Sequence, residues 1–273
     1  MKNRTLSKTY SAFINKLIER DMDCFTVHEA YGLLPHSSSE AVTMMLSEMV
    51  KKGWLLRFKQ GLYHLIPLDR DPETFLPNWH LTASYLAQGK NYYIGYYSAL
   101  ELHSLITQPA LMERVVVDKQ MKPGALEIQG VKFQFIYHNQ KHFFGHQKVK
   151  IDKYEKVNCS DLEKTIIDCL YKPEYAGGVV EIAKALYKSH QDIDYFKLLD
   201  YLRRFDNQAV IKRLGFLLEM YEINNPIIDR LLDLKSSSWT TLDPSMPKEG
   251  RTVNRWRIQI NEDIDTLKDA PHT

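Results

Sequence analysis

The chain reads as an α+β protein: a small N-terminal domain, then a larger one in which a small antiparallel sheet packs with several helices. Three observations predict this. Residues 6 to 52 carry three apolar stripes of helical period, the run after them folds back around Gly61, and residues 90 to 151 alternate short β-rich runs with turn residues before helical patterning returns. At 273 residues with 44% hydrophobic composition, the chain can bury two cores.

From Leu6 the apolar residues fall at 6, 10, 13, 14 and 17, the face of an amphipathic helix that leaves Lys8, Asn15 and Lys16 outside. In "TVHE", Thr26 and Glu29 can form a capping box, so a second helix should begin there and end near Gly32. "GLLPHSSSE" supplies a turn at Pro35 and a second box, Ser37 with Glu40, opening a third helix to about Lys52. Two boxes with a Gly/Pro turn between them describe a helix-turn-helix. Projected at 100° per residue, the third helix buries Val42, Met45, Leu46, Met49 and Val50 and turns Ser37, Glu40, Met44, Ser47 and Lys51 outward, with Thr43 on the flank.

Gly53 can stop that helix in the left-handed conformation. Trp54, Leu56 and Phe58 then alternate inward against Leu55, Arg57 and Lys59, Gly61 permits the turn, and Leu62 to Leu65 return. A structural hairpin has no need of cations at its tip, whereas a wing beside DNA uses each to neutralise a phosphate. Residues 1 to 66 are therefore expected to form a winged helix-turn-helix DNA-binding domain. Its candidate contacts are Ser37, Ser38, Ser39, Thr43, Met44, Ser47 and Lys51 on the third helix and Arg57, Lys59 and Gln60 on the hairpin. Small side chains let a helix approach base edges, and its N-terminal N–H groups can take a phosphate oxygen. Glu40 and Glu48 oppose a phosphate backbone, and a solvated helix face is the alternative. The net charge of +2 does not itself call for nucleic acid, yet residues 1 to 66 hold nine Lys and Arg against six Asp and Glu, and the remainder twenty-seven against twenty-eight.

"PLDRDPETFLPNWH" carries three prolines and four charges and reads as a linker, residues 67 to 79. The C-terminal domain, 80 to 273, should open with a helix near Leu81 to Gln88 and the strand "NYYIG". "YSALELHSL" follows as a helix with Ala99, Leu102 and Leu105 inward, and then "ERVVVDK", "ALEIQG", "VKFQFIYH" and "HQKVKI" as strands, three or four of them paired antiparallel. "SDLEKTIIDCLYKP" offers a third capping box, Ser160 with Glu163, and helices are expected at about 178 to 189, 193 to 205, 208 to 222 and 225 to 234. "SSSWTTLDPSMPKEG" reads as an exposed connection to a last strand, "RWRIQI", with Trp256, Ile258 and Ile260 on one side.

No catalytic constellation emerges. His138, His142 and His146 would line one side of a helix, but Phe143-Phe144-Gly145 and β-rich flanks argue for a hairpin. Asp161, Glu163 and Asp168 could suggest a carboxylate-metal site, but Glu163 is better explained as a cap and Asp161 as a first-turn charge that suits the helix dipole. Gly177-Gly178 precedes a helix without the Lys-Ser/Thr of a phosphate loop, and where a restriction-type nuclease would want Glu-x-Lys, Glu127-Ile128-Gln129 ends in glutamine. Cys24, Cys159 and Cys169 lack metal spacing and fit core thiols in a reducing cytoplasm. No run has the length of a membrane span, and no cofactor is expected.

The order of parts resembles the AbiEi family, antitoxins and transcriptional regulators of type IV toxin-antitoxin systems in bacterial abortive-infection loci. The resemblance rests on "RFKQGLYHL", "YYIGYYSALELHSL" with "ERVVVD", "SDLEKTIIDCLYKPEYAGG", "KRLGFLLE" and "NRWRIQIN", and covers nearly the whole chain. It implies a cytoplasmic autorepressor that binds inverted repeats in double-stranded promoter DNA through the winged helix. It also implies a C-terminal domain that counters a nucleotidyltransferase toxin without a stable complex. Arg203, Arg204, Lys212, Arg213, Arg251, Arg255 and Arg257 are the candidate antitoxic surface, with solvated helix and strand faces as the other reading. The expected molecule is not an enzyme. The alternative is a metal-dependent DNA-acting nuclease or phosphotransferase targeted by a winged helix, and a third reading is a protein-interaction adaptor.

Overall fold

A computed structural model of the chain describes residues 4–87 and 89–270. It is a mixed α+β protein in two compact units: one runs to Leu86 and takes in Glu127–Val131, and the other holds Ala87–Leu126 and the chain from Lys132 onward.

In the first unit, α1 (Lys8–Glu19) is capped by Ser7, whose hydroxyl accepts from the Tyr10 N–H at 3.2 Å, and buries Tyr10, Phe13 and Leu17. β1 (Cys24–Thr26) is a strand that the sequence reading did not anticipate. α2 (Val27–Leu33) begins with the expected capping box: Thr26 Oγ1 accepts from the Glu29 N–H at 3.2 Å and Glu29 Oε2 accepts from the Thr26 N–H at 2.6 Å. α3 (Ser39–Lys51) has no such box. Its cap is Ser38, not Ser37, and accepts from the Ala41 N–H at 3.2 Å, while Glu40 accepts from the Ser39 hydroxyl instead of reaching back. Gly53 ends α3 at φ +80°, and β2 (Leu55–Lys59) and β3 (Leu62–Leu65) turn at Gly61, φ +75°.

β1 pairs with β3, giving a sheet of order β1-β3-β2 whose two faces are both covered. One face lies on the helices, with Leu55 and Tyr63 joining Phe13, Phe25, Leu46 and Met49 in the core. Over the other lies α4 (Trp79–Leu86): the Tyr85 ring is 6.1 Å from Phe58 and 5.9 Å from His64, with Phe75 5.6 Å from His64. Leu55, expected outside, is therefore buried, and Leu56, expected inside, is half-buried. The segment 67–78 lacks regular secondary structure and α4 begins at Trp79, inside the expected linker, but Arg4 donates to the carbonyls of Pro67 and Arg70 at 2.8 and 2.9 Å, so the unit extends beyond residue 66. The helix expected at Leu81 to Gln88 is α4; Gln88 lies outside the described residues.

The second unit carries most of a six-stranded sheet. Its strands are β4 (Tyr92–Ile94), β5 (Met112–Val117), β6 (Ala125–Ile128), β7 (Val131–Tyr137), β8 (His146–Lys150) and β9 (Lys156–Ser160), with α5 (Tyr96–Leu102) between the first two. The order is β6-β7-β5-β4-β9-β8. The sheet is mixed, not antiparallel: β5 runs parallel to β7 and β4 to β9, while β4/β5 and β8/β9 are antiparallel. The sign of this lies in Val115-Val116-Val117, consecutive residues all fully buried, because a central strand covered on both faces needs an unbroken apolar run.

After β9 come α6 (Leu162–Tyr171), a short 3-10 turn at Pro173–Tyr175, α7 (Val179–Ser189), α8 (Tyr195–Phe205), α9 (Gln208–Met220) and α10 (Ile227–Leu234). The expected Ser160–Glu163 box is absent. Asp161 caps α6, accepting from the Lys164 N–H at 3.0 Å, which frees Ser160 to meet Thr165 Oγ1 at 2.7 Å. β10 (Thr240–Thr241), β11 (Thr252–Val253) and β12 (Ile258–Gln259) form a small sheet of order β10-β12-β11, followed by α11 (Ile264–Asp269). The strand expected over "RWRIQI" is cut to two residues because 254–257 form a turn, with Arg257 at φ +54°. Its burial pattern survives: Trp256, Ile258 and Ile260 are buried, and the Trp256 ring occupies the space of a missing Cβ at Gly215, where one would stand 2.1 Å from it. The connection before it is not wholly exposed, since Leu242 and Asp243 are buried.

Candidate functional site

The outward face of α3 is as the projection predicts: Ser37, Ser38, Ser39, Glu40, Thr43, Met44, Ser47 and Lys51 are all exposed, and Val42, Leu46 and Met49 are buried. Its side chains are not equally available. Thr43 Oγ1 donates to the Ser39 carbonyl at 2.8 Å and meets the Tyr31 hydroxyl at 3.0 Å, tying α2 to α3, whereas Met44 projects with 67% of its surface exposed. The acidic residues that oppose a phosphate are each engaged. Tyr10 on α1 donates to Glu48 at 2.6 Å, a bond that raises the Tyr10 pKa, and Glu40 is held ionised, its pKa lowered by hydrogen bonds to its own backbone N–H and to Ser38 and Ser39.

On the hairpin, Arg57, Lys59 and Gln60 are exposed. Lys59 differs from Arg57 in having a fixed duty: its ammonium donates to the Leu86 carbonyl at 2.8 Å, at the C-terminal end of α4, where a cation complements the helix dipole. Of the two expected phosphate contacts, Arg57 is the side chain presented outward, and Lys59 also supports the helix behind the sheet.

Two of the seven cations expected on a surface of the second unit do not lie on one, while Arg203, Arg204, Arg251 and Arg255 are exposed. Lys212 and Arg213 are buried. Lys212 donates to the Ser236 and Ser238 hydroxyls at 3.2 and 2.9 Å, and Arg213 to the Leu170 and Thr241 carbonyls at 2.6 and 3.1 Å. They clamp the segment after α10 onto α9, so reversing either charge would bury an unpaired carboxylate rather than alter a surface. Arg203 pairs with Asp200, Arg204 lies 4.0 Å from the centre of the Phe144 ring, Arg255 bonds Glu219, and Arg257 sits over Trp239 while Arg251 is exposed.

The most concentrated polar chemistry is a closed cluster that sequence reading missed. On α6, Lys164 forms an ion pair with Asp168, and its ammonium also donates to Tyr93 Oη at 2.9 Å. Tyr93 donates to Asp168 Oδ2 at 2.9 Å and so can only accept from His138, whose Nδ1 lies 3.2 Å away, while Tyr96 donates to His138 Nε2 at 2.8 Å. This fixes His138 as the neutral Nδ1–H tautomer, and burial followed by the nearby Lys164 charge lowers its pKa to about 2. Burial likewise lowers the Lys164 pKa and raises that of Asp168. Every member is buried, so the cluster ties β4, β7, α5 and α6 together. The only signal in the sequence was the Lys-Asp spacing of one helical turn in "EKTIIDC".

Other candidate groups are spent on the fold. His138 and His142 lie in the connection from β7 to β8 and His146 opens β8, so none is on a helix, and His142 stacks on Phe205 at 3.9 Å. Asp161 and Glu163 both hold Lys197, at 3.1 and 2.7 Å. Gly177 and Gly178 turn into α7 at φ +82° and +89°, but the Val179 N–H is already bonded to the Asp243 carboxylate at 3.1 Å. Cys159 and Cys169 are buried and Cys24 is half-buried, all as free thiols. Among the described residues no helix is long and apolar enough to cross a membrane.

The chain matches no family model and no curated protein. Among solved structures it is similar to the crystal structure of RV2827C protein from Mycobacterium tuberculosis, with a TM-score of 0.71 over 97% of this chain and 95% of that chain at 16% sequence identity. At that identity the likeness is one of fold.

Proposed function

We propose that the chain is a sequence-specific DNA-binding autorepressor and the antitoxin of a type IV toxin-antitoxin operon, acting in the cytoplasm without catalysis of its own. The observation that carries the DNA reading is the first unit's order α1-β1-α2-α3-β2-β3, with β1 paired against β3 and a small-residue polar face left open on α3 just before a hairpin that presents Arg57 and Gln60. This supports a winged helix in which α3 enters the major groove and the hairpin lies along the backbone. Glu40, which stays ionised, lies in the first turn of α3, where a carboxylate complements the helix dipole. The antitoxic half of the proposal rests on the resemblance to the AbiEi family and assigns neutralisation of a nucleotidyltransferase toxin to the second unit, without a stable complex.

The test uses the full chain and a duplex spanning the inverted repeats of its own promoter. At physiological salt, it should bind that duplex at least about a thousandfold more tightly than a scrambled one. Equal affinity for both would overturn sequence-specific repression, and failure to restore growth on co-expression with a neighbouring nucleotidyltransferase gene would overturn the antitoxin assignment.

A further inference from the structure

β8 is an edge strand of the six-stranded sheet, and its hairpin with β9 divides its side chains by chemistry. Val149 pairs with Val157 and Gln147 with Cys159, and the valines and Cys159, with Ile151, sit on one face against Ile94 and Ala99. On the other face Lys150 stands directly opposite Lys156, and Lys148 opposite Asn158. All three lysines are exposed, and none makes an ion pair or hydrogen bond among the described residues. Like charges directly opposed across a strand pair destabilise it, so this arrangement calls for an anion to lie across the ladder.

The tip adds a second chemistry. Asp152 accepts from the Tyr154 and Glu155 N–H groups at 2.8 and 2.7 Å, which spends its carboxylate on fixing the turn. Tyr154 projects with 81% of its surface exposed, and Lys153 holds its ammonium 5.2 Å from the ring centre. An exposed ring at the end of a row of lysines spaced along an extended strand matches a phosphodiester backbone that carries an unpaired base to stack. A duplex has no unstacked base to offer that ring.

We propose that the Lys148, Lys150 and Lys156 face of this hairpin, with Lys153 and Tyr154 at its tip, binds a single-stranded nucleic acid. The lysines neutralise successive phosphates, and Tyr154 stacks on a base. This surface belongs to the second unit, whereas the α3 face belongs to the first, and the proposal adds a single-strand contact to the operator binding proposed above. Edge lysines also discourage strand-to-strand aggregation, and the experiment separates the two roles.

The full chain is titrated with a fluorescent uridine oligonucleotide of about twelve residues and, separately, with a duplex of the same length. The combined variant Lys148→Gln, Lys150→Gln, Lys156→Gln should lose about tenfold or more in single-strand affinity and shallow the slope of log affinity against log salt by about 0.7 for each phosphate contact removed, with duplex binding unchanged. Tyr154→Ala should weaken single-strand binding at least about fivefold, and Tyr154→Phe should restore it. Because Tyr154 is at an exposed tip, that pair reads the surface even if the triple variant folds poorly. Unchanged single-strand affinity in a triple variant of wild-type melting temperature would overturn the proposal, as would equal losses on the duplex. Binding of an acidic peptide with no binding of the oligonucleotide would make the face a protein-docking surface and equally overturn it.

Discussion

Lys164 and Asp168 meet where water does not reach, and such a pair repays its desolvation only if further donors and acceptors complete it. Tyr93 and His138 do so, but only while His138 stays neutral. An unfolded chain takes up a proton on this histidine near pH 6.5, and the folded one, with the pKa at about 2, refuses it. The unfolded state therefore binds more protons below pH 6.5, and stability falls as the pH drops, by about 2 kcal/mol from this residue at pH 5. Burial lowers the His142 and His146 pKa values as well, with the same sign, while the raised Asp168 pKa works in the opposite sense at lower pH. The thermal midpoint of the wild type should fall more steeply from pH 7 to pH 5 than that of His138→Gln. Parallel profiles would mean that His138 ionises in place. Residue chemistry of this kind was hard to see in the sequence. Lys212-Arg213 reads as a surface pair because nothing local announces that Ser236 and Ser238, more than twenty positions away, will close over it.

At the level of elements, the proposed DNA-binding role assigns base reading to α3 and phosphate positioning to the hairpin. Ser47→Ala should cost about 1 to 3 kcal/mol on the cognate duplex if Ser47 touches a base edge, with little change on a scrambled one. Arg57→Ala should weaken both and shallow the salt slope by up to about 0.9. Lys59→Ala should instead lower the melting temperature, because it removes the ammonium from the end of α4. If Lys59→Ala flattens the salt slope as much as Arg57→Ala does, the Leu86 contact gives way on DNA and both cations grip phosphate. The helices around these residues were legible because caps and 3.6-residue stripes are local: α2 begins at the expected Thr26 box, and α7 to α10 start and end within two residues of expectation. The α3 cap moved by one because three consecutive serines can each serve. The β2 alternation failed for a reason that is not local, since one-sided burial was assumed and Tyr85 and Phe75 cover the second face. β1, three residues long, is too short to show a period.

Across the whole molecule, the position of α4 decides where a fragment for testing the proposed DNA binding can be cut. A fragment ending at residue 70 keeps three helices and the hairpin but strips Phe58 and His64 of the Tyr85 and Phe75 rings and leaves Lys59 without the Leu86 carbonyl. Restoring this layer by ending at residue 86 should raise stability by about 2 to 4 kcal/mol, the scale of two partly buried aromatic side chains. Even that fragment is incomplete, because the compact unit also includes Glu127–Val131, where Gln129 donates to the Pro72 carbonyl at 3.3 Å. Fragment 1–86 should therefore shift the cognate duplex in a gel with lower thermal stability than the full chain, and fragment 1–70 should do so poorly or only in the cold. Neither should restore growth when co-expressed with the toxin gene, since neither contains the second unit. Growth restored by fragment 1–86 as fully as by the whole chain would place the antitoxic function in the first unit and remove the reason for assigning it to the second.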